Sequence, residues 1–173
     1  MPTESPDVLR LADIDARQLR ELLAGHHLTL ELCPDGEPVP GSFWGEEEAG
    51  LKGDTLYARH DTPLHSILHE ACHFICLDEA RRSNLDTNAA SDDDEECAVC
   101  YLQVLLADRL DCLGRARMFA DMDAWGYSFR LGSSRAWFEE DAQDARRWLL
   151  ARDLTIGRGN STLRLGKPRR RIF

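Results

Sequence analysis

The pentapeptide His69-Glu70-Ala71-Cys72-His73 places two imidazoles four residues apart, with a carboxylate directly after the first. On a helix, side chains four apart lie one above the other, so His69 and His73 would offer two ring nitrogens to one point. Two neutral imidazoles at that spacing fill two corners of a tetrahedral zinc site. Glu70 sits one step round the helix, where it reaches a water beside the metal rather than the metal itself. Zinc brings the pKa of such a water toward neutrality, and Glu70 is placed to take its proton as general base. The chemistry implied is metal-assisted hydrolysis.

A helix is what the flanking residues predict. Thr62-Pro63 supplies an N-cap and first-turn pair, and Leu64, Ile67, Leu68, Ala71, Phe74 and Ile75 give a wide apolar surface up to Leu77. A helix this apolar is buried, and buried His and Glu side chains need partners.

A catalytic zinc takes three protein ligands and keeps one position open; two histidines and a glutamate are one such set. The third carboxylate is expected from a second buried helix, which starts in the acidic run Asp92 to Glu96 and continues through Leu106. Glu95, Ala98, Leu102 and Leu105 share one face of it, so Glu95 is the expected ligand. Glu96, about 100° round, is the second choice.

His69-Glu70-x-x-His73 followed by Glu95-x-x-Ala98-x-x-Tyr101-Leu102-x-x-Leu105-Leu106 resembles the ImmA/IrrE-type zinc peptidases. The resemblance covers about 40 residues and rests mainly on the first motif. It implies a small gluzincin fold, His69, His73 and Glu95 as zinc ligands, and Glu70 as general base. The chain departs from the family at Val99, where an Asn is usual, and at Ala107-Asp108, where a Pro is usual. It has no evident helix-turn-helix segment.

The cysteines offer a rival reading. His69 and His73 with Cys97 and Cys100 would close a structural zinc site, leaving Glu70 without a catalytic task. Cys97 lies about 200° round the helix from Glu95, so the two cannot serve one metal. A third possibility is a metal-sensing regulator with a degenerate site. His65 continues the stripe of His69 and His73 one turn earlier, and His60 and Tyr127 are candidate donors to an oxyanion.

Composition narrows the partners. A net charge of -10 disfavours nucleic acid and anionic membranes, leaving a peptide or protein substrate as the expected partner. No apolar run has the length of a membrane span, and residues 1–7 lack a signal-peptide pattern, so a cytoplasmic location is expected. There the six cysteines would be reduced thiols or ligands.

The expected fold is α+β: a single zincin-like domain over 13–157, helix-dominated with a small few-stranded sheet. A loose leader (1–12) precedes it and a basic tail (158–173) follows. Short helices are expected after Asp13, over Gly114 to Ala124, and continuously over Ser134 to Leu150. Strands are expected at Leu28 to Leu32 and Thr55 to Arg59, the latter a possible rim for pairing with an extended peptide. Residues 33–53 read as turns, with Phe43-Trp44 a possible short strand, and 78–94 as a loop.

Overall fold

The computed structural model describes residues 5–42, 47–83 and 92–154. They form one α+β domain with seven α-helices and a three-stranded mixed sheet among the described residues. In chain order the elements are α1 (Arg17–Ala24), β1 (Thr29–Leu32), β2 (Gly50–Lys52), β3 (Thr55–Ala58), α2 (Leu64–Cys76), α3 (Glu79–Ser83), α4 (Asp93–Ala107), α5 (Gly114–Trp125), α6 (Ser134–Ala136) and α7 (Gln143–Leu150). None of the described helices is long and apolar enough to cross a membrane.

The sheet order is β1-β3-β2, with β3 parallel to β1 and antiparallel to β2. Strand β2 falls where turns were expected. Its register pairs Lys52 with Thr55, so Gly53-Asp54 is a two-residue hairpin turn, and Gly53 takes the positive φ of 60° that this turn needs. Gly50 is also required, because a Cβ there would collide with the carbonyl of Pro40. Since β3 is the central strand, both its edges are already paired. It cannot be the rim that an extended peptide joins.

Helix α2 runs from the end of β3 into the core, where Leu64, Ile67, Leu68, Ala71 and Cys72 are fully buried. Burying each Leu or Ile is worth roughly 1.5–3 kcal/mol, so this face fixes the helix firmly. Its N-cap is Pro63, in extended conformation, one residue later than expected. The first helical N–H, that of Leu64, donates to the Leu9 carbonyl (2.8 Å). The residues expected as a loose leader are therefore packed from Val8 on: Val8 and Leu11 are buried, and Arg10 bridges to Pro63. At the other end, the Arg82 guanidinium donates to the Phe74 and Ile75 carbonyls, both at 3.0 Å, and lies over the Phe74 ring. The Ile75 carbonyl at the helix end is satisfied this way, and that of Phe74, which also accepts from Leu77 N–H, gains a second donor.

Helix α4 starts at an N-cap, Asp92, whose carboxylate accepts from Glu95 N–H (2.8 Å). Ala98, Val99, Leu102, Val104, Leu106 and Ala107 are all buried, because α4 packs against α2, α5 and α7. The single helix expected over Ser134 to Leu150 is instead broken. A wide π-turn spans Trp137–Asp141, and Ala142 leaves the helical region (φ -99°, ψ 21°) before α7 begins. The extra residue in the turn lets Trp137 bury while Phe138 stacks on Tyr101 at 4.4 Å. Phe43-Trp44 and the basic tail lie outside the described residues.

Candidate metal centre

The burial that fixes α2 turns its less apolar edge, His69-Glu70 and His73, toward α4. His69 Nε2 lies 3.1 Å from His73 Nε2. A carboxylate from α4 meets both: Glu96 Oε1 is 3.0 Å from His69 Nε2, and Oε2 is 3.3 Å from His73 Nε2. The structure brings Glu96, not Glu95, to the histidines. Glu95 is buried one step round the helix, where its Oε2 accepts from Arg81 Nη1 of α3 at 2.9 Å. That ion pair commits the Glu95 carboxylate away from the histidines.

Cys100, one turn beyond Glu96, belongs to the same cluster. His69, Glu96 and Cys100 each offer a ligand atom within 4.8 Å of the others, which makes them a possible metal-binding group. Cys97 is solvent-exposed while Cys100 is buried, so the pair of thiolates in the rival reading does not face the histidines together.

The donor set fits a metal on geometric grounds. Bonds of about 2.0–2.1 Å to a tetrahedral ion put neighbouring N and O donors roughly 3.3 Å apart. The two Nε2 atoms are 3.1 Å apart and each lies 3.0 to 3.3 Å from a different Glu96 oxygen, spacings close to those of neighbouring donors on such an ion. Tautomer chemistry points the same way. His69 Nδ1 lies 3.0 Å from Gln103 Oε1, which can only accept, so Nδ1 carries a proton and Nε2 is the nitrogen a metal would take once the Nε2 proton has left. Gln103 is oriented in turn by Nε2, which donates to the His65 carbonyl at 2.9 Å.

Electrostatics mark the cluster as one unit. Burial by itself would lower the His69 pKa, yet Tyr127, Cys100 and Glu96 outweigh it and hold His69 well above the ordinary value. Burial would raise Glu96, but hydrogen bonds from His69 and His73 hold its carboxyl well below the carboxylate range. Proton and metal would compete for the same atoms, so a metal bound here would displace protons. Glu70 is half-buried beside the pair, and burial raises its pKa against the pull of His69 and His73.

The remaining candidates separate. His65 is buried and held neutral, its pKa lowered by burial to about 3, with Nδ1 3.2 Å from the Tyr127 hydroxyl. Tyr127 also packs its ring 5.9 Å from that of His69, and burial pushes its hydroxyl up to about 12. His60 is exposed and faces Asp35 at 3.3 Å, away from this cluster. Gln103 was not expected as a site residue, and Cys100 was weighed only beside Cys97 in the rival structural site. The signal that finds them is a polar stripe at i, i+4 and i+7 (Glu96, Cys100, Gln103) on a helix otherwise apolar all round.

Comparison of the chain with protein-family models, with curated proteins and with solved structures finds no match in any of the three.

Proposed function

We propose that this chain is a zinc-dependent peptide hydrolase in which His69, His73 and Glu96 hold the metal and Glu70 is the general base. The observation that carries the reading is the convergence of two Nε2 atoms and one carboxylate at 3.0 to 3.3 Å, on helices buried enough to keep them there. Zinc bound there supplies a Lewis acid for a scissile carbonyl and lowers the pKa of a bound water.

The protein's part is positioning and proton transfer. Gln103 orients His69, and the ion pair to Arg81 keeps Glu95 out of the site. Among the described residues Glu70 has no hydrogen-bond partner, so its carboxylate is available to a reactant. A carboxyl raised by burial can take a proton from water and deliver it to a leaving amine, which a carboxyl of ordinary pKa does less well.

The HExxH motif supports the zincin class, with α2 and α4 as the metal-bearing helices beside a small sheet. The second-helix pattern, aligned on Glu95, does not coincide with the carboxylate that meets the histidines. The class is therefore proposed without a particular family. All six cysteines are free thiols, which agrees with the cytoplasmic location proposed for the chain.

The test is Glu70→Gln assayed on a quenched-fluorescent peptide library beside zinc analysis of the same sample. The expected outcome is loss of at least about 10²-fold in hydrolysis, the size typical of a general base, with zinc content unchanged. A Glu70→Gln variant as active as wild type, or zinc-loaded protein that cleaves no peptide either as wild type or as Cys100→Ser, would contradict the reading.

A further inference from the structure

We propose that Cys100 is a fourth ligand to the same metal, a thiolate that keeps the centre latent until it is displaced. The proposal rests on the metal-dependent reading above and extends it to regulation of that site.

Cys100 lies four residues after Glu96 on α4, so both side chains leave the same face of the helix. Its sulfur falls within 4.8 Å of ligand atoms of His69 and Glu96. Zinc–sulfur bonds of about 2.3 Å combined with zinc–nitrogen bonds of about 2.0 Å separate S and N donors by roughly 3.5 Å. His69, Glu96 and Cys100 are grouped closely enough for a shared ion, and His73, outside that group, joins them only if the Cys100 side chain moves toward it. The other thiols are placed differently. Cys97 is exposed, and Cys72 and Cys76 are buried on α2 with pKa values raised by burial, Cys76 to about 12.

On binding, the metal takes the place of the Cys100 S–H proton, which leaves to solvent; the sulfur keeps its electron pair and donates it to the ion. Four protein donors leave no position for the water that Glu70 would deprotonate. Hydrolysis then needs a water to replace the Cys100 sulfur on the metal, the released thiolate taking a proton back from solvent.

The experiment is titration of the full-length apo chain with cobalt(II), followed by optical absorption. Wild type and Cys97→Ser are expected to bind one equivalent and show a near-ultraviolet sulfur-to-cobalt charge-transfer band. Cys100→Ser and Cys100→Ala are expected to bind one equivalent more weakly, without that band, and to hydrolyse peptides faster than wild type. A wild-type protein that binds one cobalt without the band overturns the proposal and leaves the hydrolase reading standing; one that binds no cobalt overturns both. Should the Cys100 variants fail to fold, X-ray absorption of zinc-loaded wild type decides alone. One sulfur at about 2.3 Å is expected, and either none or two would overturn the assignment.

Discussion

His69 has two ring nitrogens, and the amide of Gln103 determines which one is free. Because Gln103 Nε2 is spent on the His65 carbonyl, Oε1 must face His69, and the imidazole is held with Nε2 toward Glu96 and His73. Outer partners of this kind typically change metal affinity by 10- to 100-fold when removed. Gln103→Met keeps the volume and loses both hydrogen bonds, so zinc affinity measured by chelator competition should fall by about that factor. Unchanged affinity would show that packing alone orients His69. The choice between Glu95 and Glu96 also belongs to this scale. Apolar periodicity favoured Glu95, and Glu95 is indeed buried, but for an ion pair with Arg81 from α3. That short helix lies in a stretch read as loop, so its arginine could not be weighed from sequence. The polar stripe through Glu96, Cys100 and Gln103 could have been.

Helices α2 and α4 hold the cluster, but other elements hold α2. Leu9 accepts from the first N–H of α2, while its own N–H donates to Asp121 Oδ2 of α5 at 3.0 Å. Asp121 is buried and accepts also from Arg117 at 2.7 Å. The residues before α1 thus tie α5 to the start of α2. Hydrogen bonds to a charged group are worth about 1.5–3 kcal/mol, so Asp121→Ala should lower unfolding free energy by roughly 2–4 kcal/mol in denaturant titration. It should also make the chain around Leu9 the first protease cleavage point. Loss of stability without new cleavage there would mean that Asp121 acts only within α5. This anchoring was not legible in sequence, since polar, Pro-containing residues without periodicity read as a leader. The π-turn was hidden for a related reason: local propensity favours helix from Ser134 onward, and only the packing of Trp137 and Phe138 on other elements favours the break.

At the scale of the molecule, the α+β class, the dominance of helix and the two longest helices were legible, because each rests on strong apolar periodicity or a cap. Strand β2 was not, since three residues within a Gly- and acid-rich stretch carry no alternation; its hairpin turn, Gly53-Asp54, was the available clue. The same contrast holds for the site. The histidine pair and Glu70 follow from helix geometry alone, whereas the third carboxylate depends on how α4 is rotated against α2, which is decided by all of its neighbours. A net charge of -10 disfavours a nucleic acid, which agrees with the peptide proposed as substrate, and the metal is what everything else in the proposal depends on. The most direct measurement is zinc per chain, after dialysis under one protocol, for wild type, Glu96→Ala and Glu95→Ala. The account predicts one zinc in wild type and in Glu95→Ala, and loss of zinc in Glu96→Ala. Zinc lost from Glu95→Ala and kept by Glu96→Ala, or absent from wild type, would contradict it.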